Sequence, residues 1–148
     1  MVTTDILNGF AERKLTLATF FDIEKAYDTI KTHTILAELK KLNIKGNLLN
    51  SIKDFLHNRH FRVRIGTTYS EKKYPKNGIP QGSVLSVNLF NVGINGILDE
   101  LPSNVQGSLY ADDLMIYTTT KTTRTATRTI QQGIDKVNQW LQKTGLNI

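Results

Sequence analysis

The order of apolar and polar residues in the first third of the chain predicts one strand followed by two helices. Residues 15–23 are apolar, with β-branched and aromatic members, and a charged stretch follows, which predicts a buried strand that ends at Asp22. Apolar residues then recur at helical spacing on either side of Gly46 and predict two amphipathic helices. Their apolar positions are Ile35, Leu36, Leu39 and Leu42 in the first helix and Leu48, Leu49, Ile52, Phe55 and Leu56 in the second.

The middle of the chain predicts a hairpin, a loop and a buried helix. In residues 61–65, apolar residues alternate with Arg62 and Arg64, so we expect a strand with both arginines on one face and a turn into a second strand near residues 69–74. The prolines and glycines of residues 75–82 predict a loop. Residues 84–98 are apolar on nearly every side, and their length favours a buried helix over a strand.

The last third predicts a second hairpin and a long helix. Short apolar strands at residues 108–110 and 114–118 flank Ala111-Asp112-Asp113, which places acid at the tip of the hairpin. We expect the threonine-rich residues 118–129 to be a loop with helix caps. The apolar face of a last helix, which ends by Gly145, consists of Ile130, Ile134, Val137 and Leu141. The chain is therefore expected to be α+β, an antiparallel sheet backed by helices.

The composition narrows the functional classes. With 148 residues and 39% hydrophobic content, the chain has the size of a single domain with one core. No apolar run approaches the roughly 18 residues of a membrane span, so no membrane partner is expected. The sequence contains no cysteine, which excludes disulfides, thiolate zinc sites and iron–sulfur clusters. A metal ion must therefore be held by oxygen ligands or by histidine.

The charge favours an acidic partner. The net charge is +6 and the isoelectric point is near 9.6, a balance that suits binding to nucleic acid. Residues 1–6 lack the basic and apolar regions of a secretory signal, so we expect an intracellular location. The sequence pattern does not indicate an oligomeric state.

Three acidic residues stand where the pattern is otherwise apolar. Asp22 ends the first predicted strand, and Asp112 and Asp113 interrupt the second hairpin. An unpaired carboxylate among apolar side chains is costly, whereas Mg²⁺ held by one or two carboxylates and substrate phosphates compensates the charge. Two such ions roughly 4 Å apart can serve phosphoryl transfer. We expect the turn to let Asp112 face Asp22. In the structural alternative, Asp112 and Asp113 form a polar turn and Asp22 caps the next helix.

Three segments, in this order, resemble motifs A, B and C of reverse transcriptases. They are ATFFDIEKAYD (residues 18–28), GIPQGSVLS (residues 78–86) and LYADD (residues 109–113). The family that they indicate is the reverse transcriptase of non-LTR (LINE-type) retrotransposons, and residues 42–64 resemble its jockey-like members. The resemblance covers residues 7–148 and implies a polymerase palm, with helices packed on one face of an antiparallel sheet.

The resemblance implies a role for each acid. Asp22 and Asp112 match the two metal-binding aspartates of the family, and Asp113 matches the third catalytic acid. The main-chain carbonyl of Ile23 matches a further metal ligand. The implied cofactor is a pair of Mg²⁺ ions, with Mn²⁺ as a substitute.

The resemblance also implies a nucleotide site. Tyr27 matches the residue whose ring packs under the incoming sugar and excludes a ribose 2′-hydroxyl, the group that distinguishes RNA from DNA. Gln81 and Gly82 match residues that lie against the nucleotide and template, where glycine allows close backbone approach. On the sequence pattern alone, Tyr27 is equally well a core aromatic. The alternative that residues 78–82 form an ordinary loop is disfavoured by the buried helix predicted to follow.

The implied activity is RNA-directed DNA polymerisation, with an RNA template, a DNA primer and a deoxynucleotide (dNTP) as partners and a nuclear location. In this family the fingers would precede Met1, the thumb would follow Ile148, and an endonuclease domain is expected upstream. We therefore expect residues 1–148 to be a partial palm domain that is inactive by itself. Val87, Lys31 and the pair Asn95-Gly96 depart from the commonest family pattern, which bears on the sub-lineage rather than on the chemistry.

Arg59, Arg62 and Arg64, next to Phe61, are candidate nucleic-acid contacts, because arginine pairs with phosphates and aromatic rings stack on bases. The alternative is a solvated strand face whose charges discourage edge-to-edge pairing. His57 and His60 are expected to be surface residues.

Three other functional interpretations stay open. The first is a catalytically silent nucleic-acid-binding fragment of a decayed retroelement. The second is a reverse transcriptase of the group II intron or retroviral type, in which the residues after Gln81-Gly82 should differ. The third is an RNA-dependent RNA polymerase, which Tyr27 and Ala111 disfavour.

Overall fold

The computed structural model describes residues 2–148, which form six helices and five strands. These elements are α1 (Val2–Ala11), β1 (Leu15–Asp22), α2 (Ala26–Thr29), α3 (Thr32–Lys41), α4 (Gly46–His57), β2 (Arg64–Ile65), β3 (Thr68–Tyr69), α5 (Val84–Asp99), β4 (Gln106–Tyr110), β5 (Asp113–Thr120) and α6 (Thr123–Thr144). None of the helices within residues 2–148 is long and apolar enough to cross a membrane.

The chain divides into two compact units, which are described separately. The sheet unit comprises the residues up to Glu24 together with Asn95–Ile148, and the helical unit comprises Lys25–Ile94. The sequence pattern predicts a single domain with one core, and its assignment as a partial palm domain stays a prediction.

The sheet unit contains an antiparallel sheet of three strands in the order β1-β5-β4. Because side chains alternate between the two faces of a strand, this register decides which residues share a face. Asp22, Asp113 and Tyr110 stand opposite one another on one face, and Phe20 lies on the same face. Leu114 and Ile116, which alternate with these residues along β5, point to the other face.

Helix α6 packs on the face that Leu114 and Ile116 share. A buried stripe along α6, which includes Ile130, Val137 and Leu141, supplies the apolar contacts. At Gly133 a Cβ would lie only 3.0 Å from Ile116 Cδ1, so glycine permits this close packing. The predicted last helix is confirmed.

Helix α1, which the sequence pattern did not predict, lies on the opposite face of the sheet. A Cβ at Gly9 would lie 2.8 Å from the methyl group of Thr119, a residue on the same face as Asp113. The Tyr117 hydroxyl, also on this face, donates a 2.7 Å hydrogen bond to Asp5 Oδ2 in α1. Because α1 contacts the Thr119 end of the strands, it leaves the Asp22 end exposed.

The helical unit contains α2, α3, α4 and the short β2–β3 hairpin, together with the first eleven residues of α5. Helices α3 and α4 pack together through buried apolar residues, among them Ile35, Leu39, Ile52 and Leu56. A Cβ at Gly93 would lie 2.9 Å from Ile35 Cγ1, so α5 approaches α3 closely. Both helices predicted around Gly46 are confirmed.

Three local predictions need correction. The strand expected at residues 61–65 is regular only at Arg64–Ile65, paired with Thr68–Tyr69, and the pairing continues as a single bridge between Phe61 and Lys73. Every side chain of residues 61–65 is exposed, so no buried face makes the ladder continuous. The loop expected at residues 118–129 consists only of Lys121 and Thr122, because β5 continues to Thr120 and α6 begins at Thr123. The Thr122 hydroxyl caps α6 by accepting from the Thr125 N–H. The helix expected to be buried, α5, exposes its first turn, where Val84 is 85% exposed.

Candidate active site

The acid of β1 stands directly opposite an acid of β5. The β1–β5 register pairs Asp22 with Asp113, and directly opposite residues of an antiparallel pair share a face with Cβ atoms roughly 4.5–5.5 Å apart. Two like charges in this position repel each other and weaken the pairing of the strands. The arrangement therefore favours a cation near the two carboxylates.

Asp112 lies in the turn of the β4–β5 hairpin. Tyr110 pairs with Asp113, so only Ala111 and Asp112 connect the strands, and Ala111 has a φ of 53°. Tight hairpins need a positive φ at the first turn position. The sequence pattern predicted that Asp112 would face Asp22. The strand register pairs Asp22 with Asp113 instead, and the approach of Asp112 to Asp22 from the turn stays a prediction.

The acids are not buried, contrary to the reasoning that first singled them out. Asp22 and Asp113 are exposed, and Asp112 is half-buried. Their neighbours on the same face are exposed as well, with Phe20 74% and Tyr110 83% accessible. The cost of leaving these carboxylates unpaired is thus charge repulsion rather than burial, and this end of the sheet face is accessible to solvent.

The residue after Asp22 is held in place by the end of the chain. Ile23 is buried, and the Glu24 N–H donates a 2.8 Å hydrogen bond to the carbonyl of Asn147. The main chain that leaves β1 is therefore tied down immediately beyond the acid. The proposed use of the Ile23 carbonyl as a metal ligand stays a prediction.

The oxygen donors fit a hard divalent cation. Mg²⁺ is usually held by one or two protein carboxylates, with water and substrate phosphates completing the octahedron. Within residues 2–148, no group of three or more histidine, aspartate or glutamate side chains is arranged to hold a metal ion. Asp22 and Asp113 supply two carboxylates, so water or other ligands would have to complete the coordination of an ion held there.

Tyr27, Gln81 and Gly82 line one cleft of the helical unit, with a volume of about 500 Å³. The half-buried Tyr27 ring stacks on Phe90, with centroids 4.4 Å apart and planes inclined by 19°. Gln81 Nε2 donates a 3.1 Å hydrogen bond to Asp28 Oδ1. The structure brings the three predicted nucleotide residues together, while their contact with a nucleotide stays a prediction.

Gly78 fastens the loop that carries Gln81 to the segment that carries Tyr27. We call residues 75–82 the Gly78 loop. The Gly78 N–H donates to the carbonyl of Ile30 at 2.8 Å, and the Ile79 N–H donates to the carbonyl of Tyr27 at 2.7 Å. Gly78 has a φ of 79°, and a Cβ there would lie 2.7 Å from the carbonyl oxygens of Tyr27 and Asp28. Only glycine allows this approach.

Arg59 differs from the other two candidate arginines. Its guanidinium is half-buried, and burial lowers the pKa of Arg59 below its ordinary value. It donates to the carbonyls of Leu56, Asn77 and Gly78, so these donors are not directed at nucleic acid. Arg62 and Arg64 are exposed, and Arg64 lies over the Tyr69 ring at 5.6 Å. A role for Arg62 and Arg64 in contacting nucleic acid stays a prediction.

Two residues of these sites were missed by the sequence reasoning. Phe90 supports the Tyr27 ring, and Asp28 holds Gln81. Asp28 ends the segment that resembles motif A, and this was the signal that could have found it. Phe90 was visible only as one more apolar residue of a predicted helix.

Comparison with known proteins identifies the family that the chain resembles in sequence. Residues 3–148 match the family model described as "Reverse transcriptase (RNA-dependent DNA polymerase)". The chain is 26% identical to the probable RNA-directed DNA polymerase from transposon BS of Drosophila melanogaster, over 99% of this chain and 17% of that protein. It is 28% identical to the RNA-directed DNA polymerase from the mobile element jockey of the same species, over 96% of this chain and 16% of that protein. The chain thus spans about one sixth of these relatives.

Among solved structures, the chain is similar to telomerase from Candida albicans in complex with a fragment of telomeric RNA. The TM-score is 0.70 at 14% identity, and the match covers 97% of this chain and 28% of that one. A likeness at this identity shows the shared fold. The expected α+β architecture with an antiparallel sheet is confirmed, but the expectation that helices pack on one face only is wrong, because α1 lies on the face opposite α6.

Proposed function

Since the chain belongs to the reverse transcriptase (RNA-dependent DNA polymerase) family, with non-LTR retrotransposon polymerases as relatives, we propose that it supplies palm chemistry for RNA-directed DNA synthesis. The reaction joins a dNTP to the 3′-hydroxyl of a DNA primer on an RNA template and releases pyrophosphate. The observation that carries the proposal is the pairing of Asp22 with Asp113 on an exposed sheet face.

In this proposal, Asp22 and Asp113, with Asp112 from the adjacent turn, hold divalent cations together with the substrate phosphates. Bound Mg²⁺ or Mn²⁺ would supply Lewis-acid stabilisation of the attacking and leaving oxygens. The carboxylates need no proton-transfer role, because phosphoryl transfer depends chiefly on positioning and on charge stabilisation. Their exposure suits this work, since the primer and the triphosphate must reach them.

The proposed sugar site is the cleft of the helical unit. Tyr27 offers a flat ring at the cleft wall, and its stacking on Phe90 prevents the ring from turning aside. A 2′-hydroxyl meeting a fixed ring is rejected sterically. Gln81 and Gly82 add an amide and an open stretch of backbone, which suit contacts with a nucleotide and a template.

Primer extension tests this proposal. A complete polymerase that contains this chain should extend oligo(dT) on poly(rA) with Mg²⁺, and Asp22→Asn and Asp112→Asn variants should not. The isolated chain should bind the same duplex with an affinity that falls steeply with salt, yet should not extend it, because well-oriented reactants supply roughly 7–11 kcal/mol of the rate enhancement.

Each arm of that experiment has an outcome that contradicts the proposal. Normal extension by the Asp22 variant would remove the acid from the chemistry. A complete polymerase that binds nucleic acid but incorporates no nucleotide would favour the silent-fragment alternative. Binding by the isolated chain that is insensitive to salt would refute the electrostatic account.

A further inference from the structure

Arg59 joins the end of α4 to the Gly78 loop. Its Nε donates to the carbonyl of Leu56 at 2.8 Å, in the last turn of α4. Its Nη2 donates to the carbonyls of Asn77 and Gly78 at 3.2 and 2.8 Å. One side chain thus satisfies a helix-end carbonyl and two consecutive carbonyls of a loop that has no secondary structure of its own.

The part of the loop that Arg59 holds is the part that contacts the main chain around Tyr27. The Gly78 carbonyl accepts a hydrogen bond from the Arg59 guanidinium, and the Gly78 N–H donates to the carbonyl of Ile30. The next residue, Ile79, donates to the Tyr27 carbonyl at 2.7 Å. A continuous series of hydrogen bonds therefore leads from Arg59 through Gly78 and Ile79 to Tyr27.

The far end of the loop is fastened independently. Ser86 donates from its hydroxyl to the Pro80 carbonyl at 2.5 Å, and Gln81 donates to Asp28. At the Gly78 end, Arg59 bonds to the carbonyls of both Asn77 and Gly78. Release of Arg59 should therefore free the Gly78 end while leaving the Pro80 end in place.

The chemistry of this contact requires arginine. A guanidinium presents donors in a rigid planar fork, so two of its nitrogens can serve carbonyls on separate segments at once. The compact lysine ammonium, on a flexible stem, does not span both segments with the same geometry. A glutamine in this position has a single donor group and no charge.

We propose that Arg59 is a positioning residue, which holds the Gly78 loop against the Tyr27 segment and thereby sets the KM for deoxynucleotides and their discrimination from ribonucleotides. This proposal rests on the proposed polymerase function. It assigns Arg59 a role within the protein in place of the nucleic-acid contact expected from the sequence.

The first experiment needs no catalytic activity. Hydrogen exchange of the Gly78 and Ile79 amides is compared in the 148-residue chain, in Arg59→Lys, Arg59→Gln and Arg59→Ala variants, and in Arg124→Gln, which changes an exposed arginine of α6. Exchange at the two amides should accelerate at least about tenfold in Arg59→Gln, as expected for the loss of hydrogen bonds from a charged group. Amides of α6 should keep the wild-type rate.

Chemical rescue separates positioning from general folding. Millimolar guanidinium should slow exchange at Gly78 and Ile79 in Arg59→Ala, and equal concentrations of ammonium or sodium should not. Wild-type exchange in Arg59→Ala, or equally faster exchange throughout the chain, would overturn the proposal.

The second experiment measures kcat and KM for dTTP and for rTTP in a complete polymerase that contains this chain. Arg59→Lys should raise the KM for dTTP severalfold and change kcat by less than about twofold. It should also reduce the preference for dTTP over rTTP, whereas the Arg124→Gln variant should have the wild-type kcat and KM. If the wild-type polymerase is active and Arg59→Lys leaves kcat and KM for both nucleotides unchanged, the inference is overturned. An inactive wild type refutes the proposed function instead, and the exchange experiment then still decides whether Arg59 holds the loop.

Discussion

Asp22 of β1 and Asp113 of β5 stand directly opposite each other in the strand register, at the exposed end of the sheet face that carries α1 at its other end. Opposed like charges destabilise a strand pair, so the two residues are better suited to binding a cation than to stabilising the sheet. This relationship links the fold to the proposed chemistry, and it yields the first prediction.

Removal of either charge should stabilise the chain when divalent cations are absent. Asp22→Asn or Asp113→Asn should raise the free energy of unfolding by about 0.2–1 kcal/mol, because the repulsion across the strand pair disappears. Added Mg²⁺ should stabilise the wild type more than either variant. Urea unfolding with EDTA and with Mg²⁺ measures both effects.

Asp54→Asn, a change at an exposed acid of α4, is the matched control, and its response to Mg²⁺ should equal that of the wild type. An equal response in Asp22→Asn would show that the ion binds elsewhere.

Replacing Tyr27 should relax sugar selection. In a complete polymerase, Tyr27→Val removes the ring that stacks on Phe90 and opens the cleft, so ribonucleotide incorporation should rise while deoxynucleotide incorporation falls less. Overfilling a packed site costs roughly 1–3 kcal/mol, which corresponds to discrimination of about 5- to 150-fold. Competition between dTTP and rTTP measures the change.

Tyr74→Val, at a tyrosine that is 69% exposed, should leave the preference unchanged. If Tyr27→Val also leaves it unchanged, Tyr27 is only a packing residue.

Gly78→Ala should destabilise the chain far more than Gly66→Ala. Both glycines have a positive φ, which costs a residue with a Cβ roughly 1–2 kcal/mol. Only at Gly78 would the Cβ also collide with two backbone oxygens, and overpacking adds about 1–3 kcal/mol. Chemical denaturation of the two variants gives the comparison directly. Equal losses of stability would mean that the Gly78 loop can move away from the Tyr27 segment at little cost.

Stability should fall as the pH rises above 10, in part through Tyr117. Burial, and then its hydrogen bond to Asp5, raise the pKa of Tyr117 from 10.0 to about 12. Between these values the folded chain keeps the phenol proton more fully than the unfolded chain does. The contribution is therefore fully present below pH 10 and is lost as the pH rises toward 12.

Tyr117→Phe should lower the free energy of unfolding at pH 8 by about 1–2 kcal/mol through loss of this bond, and should flatten the decline above pH 10. Tyr69→Phe, at an exposed tyrosine, should leave the pH dependence unchanged. An unaltered decline in Tyr117→Phe would assign the alkaline loss to other groups.

The sequence predicted helices and strands best where one side of the element is buried, because burial makes apolar residues recur at a regular spacing. β1 ends at Asp22 as expected, because an apolar run stops there at a charge. Helix α1 was missed since Gly9 is its only buried residue and its large apolar side chains, Leu7 and Phe10, are exposed. The alternation of residues 61–65 correctly indicated pairing with a second strand, but it overestimated the regular strand because the segment has no buried side.

The residues of the candidate site were predictable from the sequence, but the contacts between them were less so. The motifs identified Asp22, Tyr27 and Gln81, but the partner of Asp22 depends on a turn of two residues, a length that the letters Ala-Asp-Asp leave open. The role of Arg59 depends on a loop eighteen and nineteen positions away, and no local pattern records such a contact.

Because a turn of only two residues, Ala111 and Asp112, sets the register of β5, the fold should be sensitive to the in-frame gain or loss of a single codon. The gain or loss of one codon within β5 would shift its pairing by a residue, and every side chain beyond that point would move to the other face of the sheet. Apolar residues such as Leu114 would then lie on the face opposite α6. In-frame changes of a single codon in β5 should therefore disrupt the packing of α6 on the sheet, whereas similar changes in the exposed β2–β3 turn around Gly66 should be tolerated.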